Sequence, residues 1–155
     1  MNKRIIEVLK SREFVSVATS DIDAAPYAAP KFVLKVENNF IYLVDYIVGR
    51  MYHNLRANPR ISISMMDNHY LTGYQLNGSV TILESGPEYE LLVRDLTQKE
   101  MGLSVQRVIE GVTKGRAHED FEVALPEKFV IFKVKVEEIV EIGSRGGLKR
   151  EKVCE

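Results

Sequence analysis

Twelve residues, Gly49-Arg50-Met51-Tyr52-His53-Asn54-Leu55-Arg56-Ala57-Asn58-Pro59-Arg60, lie between two strand-forming runs, and their types suit anion binding. Gly49 lets the backbone come close to a guest, and Arg50 brings a fixed fork of donors. The first N–H groups of a short helix here lack partners within the helix, so phosphate binds readily at such a place. The same residues also fit an ordinary crossover helix whose Arg50 and Arg56 are solvated. Four further polar residues stand in useful contexts: Lys31 after Pro30, Asp45 at the end of a strand, Asn54 in the short helix and Gln75 in a later strand.

Other chemistries find little support. The chain has no G-x-G-x-x-G, Walker loop, zinc-spaced Cys/His set or G-x-S-x-G elbow. His53, His69 and His118 are scattered and form no recognisable set of metal ligands, so no metal site is expected. Asp67, Glu119 and Asp120 lack a partner at a meaningful spacing and read as solvated acids. No hydrolytic nucleophile stands out, and no catalytic residue can be named.

The elements that must position these groups are mostly strands. Alternation and β-branched or aromatic content predict strands at Phe14–Ser20, Tyr27–Val36, Asn39–Asp45, Ile61–Met66, Thr72–Glu84 and Lys128–Ile142. Asp21-Ile22-Asp23 and Glu37-Asn38-Asn39 supply hairpin turn chemistry. In the fifth strand Tyr74, Leu76, Val80 and Ile82 share one face, and Gly78 interrupts it, as at a bulge or barrel corner. Asn2 can cap a first helix with Ile5, Ile6 and Leu9 on one face, which would lid the barrel. Ser85 and Glu88 have capping-box spacing before a helix from about Pro87 to Gln98. Val105, Val108, Ile109 and Val112 repeat the helical spacing, Gly111 and Gly115 weaken or end that segment, and Gly115 to Glu127 reads as loop. The expected fold is therefore α+β and mainly β: one six-stranded antiparallel split barrel over residues 1–155, with peripheral helices and a helical insertion at about 86–127.

A chain of 155 residues suffices for one such domain without disulfides. Charged residues make up 28% yet the net charge is only -1, so no global field draws the molecule to nucleic acid or an anionic membrane. The single cysteine, Cys154, cannot form an internal disulfide, and no apolar run is long enough for a membrane helix. A soluble, cytoplasmic protein is expected.

Four pieces, FVSVATSD, PYAAPKFVLKV, IYLVDYIVGRMYHNLRANPRISISM and GYQLNGSVTILESGPEYE, follow one another from Phe14 to Glu90. Their order and spacing resemble the FMN-binding split-barrel group, the fold of pyridoxamine 5′-phosphate oxidase and its small relatives. The resemblance implies an FMN cofactor whose phosphate is held by Arg50, beside Gly49 and Met51. Met51 stands where many relatives carry Lys, Ser or Thr, which implies one side-chain phosphate contact fewer. Main-chain groups of Pro30, Lys31, Phe32, Val44 and Asp45 would hold the flavin ring, and Lys31 would either add positive charge near the reduced ring or face water. Gln75 would lie near the ribityl chain or phosphate, or be an exposed polar residue. Asn54 would reach the cofactor or, in the favoured role, satisfy local backbone groups.

The resemblance further implies a homodimer with FMN at the interface and a flavin-dependent oxidoreductase acting with a small-molecule or protein redox partner. The alternatives are a non-enzymatic FMN-binding electron carrier or redox sensor, or a split barrel holding a deazaflavin or haem. True pyridoxamine 5′-phosphate oxidases carry a C-terminal segment with Trp and an Arg-Leu-His pattern. This chain has no Trp and ends in GSRGGLKREKVCE, so that activity is not expected. Arg145, Lys149 and Arg150 either meet an anionic substrate or lie in a solvated tail.

Overall fold

The structure, a computed structural model, describes residues 1–113 and 128–153. Its elements are α1 (Lys3–Lys10), β1 (Phe14–Ser20), β2 (Pro26–Glu37), β3 (Phe40–Asp45), α2 (Arg50–Ala57), β4 (Arg60–Asp67), β5 (Thr72–Leu83), α3 (Pro87–Thr113), β6 (Val130–Ile142) and β7 (Leu148–Lys152). Strands pair in the order β3-β2-β1-β4-β5-β6, and a further β3–β6 pairing closes a six-stranded antiparallel barrel. The expected architecture is thus present. A seventh strand, β7, continues the sheet beyond β6, and it arises from the tail that also fitted a solvated end. Its turn is set by Gly146, at φ 76 in the left-handed region that glycine tolerates.

The strand β6 serves both neighbours because it is long. Its first half, Val130 to Lys135, pairs with β3, and its second half, Glu138 to Ile142, pairs with β7. The two halves are offset by a bulge opposite Asn77 and Gly78. At Gly78 a Cβ would stand 2.0 Å from the Lys135 carbonyl oxygen, so the glycine foreseen as a bulge or corner is required by a close backbone approach.

Alternation places Val15, Val17, Ile41, Leu43, Ile61, Ile63, Leu76, Phe132 and Val134 inside the barrel. The ends are plugged by helices. Asn2 accepts a hydrogen bond from the Ile5 N–H at 2.9 Å, and Ile5 and Leu9 of α1 are fully buried. Each such side chain contributes roughly 1.5–3 kcal/mol of burial free energy. Met51 and Leu55 of α2 enter the same core.

A second core lies outside the barrel, where Phe32, Leu34, Tyr42, Val44 and Ile131 pack against Leu92 and Leu96 of α3. The helical face expected for Pro87–Gln98 is therefore real, but the helix runs on to Thr113 as one piece. It begins with Pro87 at the first helical position, directly after Gly86, so Ser85 and Glu88 do not stand at the two positions of a capping box. The Glu88 carboxylate instead accepts from Lys133 Nζ at 2.6 Å and from the Tyr42 hydroxyl at 3.3 Å, fixing α3 to the sheet. Farther along, Lys99 Nζ donates to the Val33 and Leu34 carbonyls at 2.5 and 3.2 Å, where a bulge in β2 frees them. These anchors outweigh the weak helix signal in the middle of α3. The expected loop from Gly115 to Glu127, with His118, Glu119 and Asp120, lies outside the described residues, as does Cys154. No helix among the described residues is long and apolar enough to cross a membrane.

Candidate functional site

The barrel parts at one place. β2 pairs with β1 along Pro26 to Phe32, but with β3 only from Phe32 onward. From Pro26 to Lys31 one edge of β2 has no strand beside it among the described residues. On the other side β3 stops at Asp45, and four residues carry the chain into α2. Lys31, Asp45, Gly49 and Arg50 therefore come from the two borders of this parting.

Lys31 Nζ lies 2.6 Å from Asp45 Oδ1, which also accepts the Ile47 N–H at 3.3 Å. Asp45 is only 1% exposed. Its second oxygen, Oδ2, is buried and has no hydrogen-bond donor among the described residues. Leaving such an acceptor unmatched costs about 1–3 kcal/mol. The Lys31 charge that the sequence suggested for a flavin is already paired with Asp45.

Gly49 is the N-cap of α2 and has no side chain to satisfy the orphan N–H groups of the first turn. Its carbonyl accepts the His53 N–H at 3.2 Å. Arg50 opens the helix with its side chain 54% exposed, 3.8 Å from Asp21 Oδ2, and its guanidinium sits 5.6 Å from the centre of the Tyr27 ring. An exposed pair of this length is worth ~0–1 kcal/mol, so an incoming phosphate can displace it. Asp21 and Tyr27 were not singled out from sequence. Asp21 carried only a turn signal, which is also correct, since its Oδ1 accepts the Asp23 and Ala25 N–H groups.

The remaining candidates separate by environment. Met51 turns its side chain into the core, leaving its main chain for the helix start. Asn54 is buried and donates to Thr19 Oγ1 at 3.2 Å, tying α2 to β1 through a distant side chain and not through local backbone groups. Phe32 and Val44 lie within the sheet, with Phe32 opposite Phe14 and Val44, and Val44 opposite Phe32 and Ile131. Their side chains are buried beneath α3. Beside Asp45, Tyr46 donates its hydroxyl to Glu100 of α3, and burial together with that carboxylate pushes the phenol well above its usual range. Among the described residues no group of three or more His, Cys, Asp or Glu side chains is arranged to hold a metal ion.

Pro30 and Gln75 belong to an uncovered outer face made by β2, β1, β4, β5, β6 and β7. One row across it reads Pro30, Ser16, Ser64, Gln75, Val140, Arg150, and the next Ala28, Ala18, Ser62, Asn77, Glu138, Lys152. Gln75 Nε2 donates within this face to Ser62 Oγ at 3.1 Å and Asn77 Oδ1 at 3.2 Å. Continuing the register gives a third row of Phe14, Met66, Gly73, Ile142 and Leu148. Its four large side chains are between 44% and 58% exposed. A depression of about 390 Å³ lies along the second row, lined by Ala18, Ser62, Asn77, Glu138 and Arg60 among others.

Comparisons with known proteins agree with this fold. Many solved structures share the fold, and three illustrate it. A protein related to general stress protein 26 of B. subtilis, from Clostridium acetobutylicum, superposes with a TM-score of 0.68 at 17% identity over 99% of this chain and 97% of its own. A pyridoxamine 5′-phosphate oxidase-related, FMN-binding protein from Nostoc punctiforme gives 0.58 at 11% identity over 98% and 94%. HutZ, the haem storage protein from Vibrio cholerae, gives 0.57 at 18% identity over 94% and 91%. No curated protein sequence matches the chain. Residues 1–143 match the family described as pyridoxamine 5′-phosphate oxidase, and they include the parted strands, α2 and the whole barrel. The chain belongs to the pyridoxamine 5′-phosphate oxidase family.

Proposed function

We propose that the chain binds FMN at the parting of β2 and β3 and acts as an oxidoreductase with a small-molecule or protein redox partner. The observation that carries this reading is Arg50, half exposed at the first position of α2, where Gly49 leaves the orphan N–H groups open. Guanidinium and helix start together suit a terminal phosphate. Bound FMN would supply reversible hydride or electron transfer. The chain's own part is to anchor the phosphate through Arg50, to present the Lys31–Asp45 pair to the ring, and to exclude water.

A single barrel leaves its outer face open, and cofactor sites bury most of their ligand. The exposed row from Phe14 to Leu148 supports a second copy seated on this face, in an isologous pair. Pro30, at the open edge of β2, lies one row away, so such a partner would also wall the cofactor site. Gln75 would then meet the partner's cofactor or the partner's surface.

The test is the visible absorption spectrum of the purified protein, with release and identification of any chromophore. A yellow protein that releases FMN supports the reading, whereas one that stays colourless and refuses added FMN sinks it. The second reading is a non-enzymatic FMN-binding electron carrier or redox sensor. Sustained oxidation of NADH or NADPH supports the enzyme, and stoichiometric reduction without turnover supports the carrier.

A further inference from the structure

Three lysines meet on a different side of the barrel from α2. A pocket of about 280 Å³ lies between the end of α1, the bulge of β2 and the middle of α3, lined by Lys10, Val33, Leu34, Lys35, Val36 and Lys99. The side chains of Val33 and Val36 turn into the barrel core, and that of Leu34 into the core under α3. What the pocket presents is therefore strand backbone and three ammonium groups, and among the described residues no acidic one lines it.

Lys99 is the fixed member. Its Nζ sits on the Val33 and Leu34 carbonyls at 2.5 and 3.2 Å, with the centre of the Phe32 ring 5.1 Å away. An ammonium has three donors, and these neutral acceptors take two. Burial lowers the basicity of Lys99, and the charge of Glu100 opposes this without reversing it, because the Glu100 carboxylate accepts from the Tyr46 hydroxyl instead. Lys99 thus brings to the pocket a partly buried charge that no described carboxylate neutralises at ion-pair distance. Lys35 is held loosely: Glu37 Oε2 is 3.3 Å and Asp95 Oδ2 3.9 Å away, and the three side chains are 43% to 54% exposed, so a guest can displace both acids. Lys10, exposed in the last turn of α1, has no ion-pair partner among the described residues.

The charge calls for an anion, and the volume limits its size. Pockets for larger organic ligands start at about 300 Å³, so this one suits a compact head group and not a nucleotide. Lysine binds phosphate as a point charge, without the planar fork of arginine. We propose that the pocket between α1, β2 and α3 is a site for a compact phosphate, free or at the end of a small monoester, held by the third donor of Lys99 and neutralised by Lys10 and Lys35. The site uses neither α2 nor the parting of β2 and β3, so it stands apart from the FMN reading.

The test is calorimetric titration of the full chain at low ionic strength with inorganic phosphate and with glycerol 3-phosphate. It is run in an Arg50→Ala background, so that the start of α2 takes up neither probe. Saturable binding of one equivalent is expected, and the tighter probe identifies the source as free phosphate or a monoester. Adding Lys99→Met is expected to weaken binding at least about tenfold, as for a lost bond to a charged group. Lys10→Met and Lys35→Met should each weaken it by about two- to fivefold, and Lys3→Met, an exposed lysine elsewhere on α1, by less than about twofold. Should Lys99→Met not fold, side-chain ¹⁵N spectra with all lysines intact give a second readout, in which phosphate is expected to shift the Lys99 signal more than that of Lys3. Absence of saturable binding by both probes overturns the proposal. So does binding that the pocket variants weaken no more than Lys3→Met does, or a Lys99 signal that phosphate leaves in place.

Discussion

Arg50 and Asp67 illustrate how much one side chain decides. In Arg50→Ala, FMN affinity is expected to fall by about 1.5 to 3 kcal/mol, the range for a lost charge-assisted hydrogen bond, while riboflavin binding stays nearly unchanged. Equal losses for both flavins in a titration would place Arg50 away from the phosphate. Asp67 acts on stability instead. Burial by itself would raise its carboxyl, but the Tyr70 and His69 N–H groups and the Arg4 guanidinium, 2.8 Å away, together hold it below the usual carboxylate range. A carboxyl lowered in the folded state stabilises the fold above its ordinary value, and that contribution disappears as pH falls through the lowered one. Urea midpoints measured in acid should therefore drop more steeply with falling pH below about pH 4 for the wild type than for Asp67→Asn. Arg50 was legible in the sequence because glycine, arginine and a helix start stand in a row. Asp67 was not, because its partner Arg4 is 63 positions away and only the fold joins them.

At the scale of elements, the sheet depends on one glycine. Gly78→Ala would put a methyl group 2.0 Å from the Lys135 carbonyl oxygen, a backbone atom that cannot rotate aside. A loss of about 3 kcal/mol is expected, toward the upper end for overpacking, and denaturant unfolding would measure it. The strands were legible because alternation of apolar residues fixes both their existence and their inner face. Phe14–Ser20 agrees residue for residue, and the other five differ by one or two residues at an end. Two features escaped for opposite reasons. The length of α3 rests on contacts its sequence does not display, above all Lys99 on the β2 carbonyls and Glu88 on Lys133. The strand β7 is short and charged, and it exists because β6 outruns β3 and leaves an edge to be paired.

At the scale of the whole molecule, the question is what covers the open face. Phe14→Glu and Leu148→Glu are each expected to shift the protein from dimer to monomer in sedimentation. Binding of FMN at the proposed site is expected to weaken with them, since the proposed partner wall is lost. Wild-type protein that sediments as a monomer with FMN still bound would refute the arrangement. The face could not be read from the sequence, because its row takes single residues from five strands and becomes visible only in the register that joins them. Its last member, Leu148, lies past the end of the family match at residue 143. Arg150 and Lys152 extend the other two rows from the same strand. Without residues 144–153 the barrel would still close through β3 and β6, but the open face would lose Leu148, Arg150 and Lys152 from the ends of its rows, so the shortened chain is expected to sediment as a monomer.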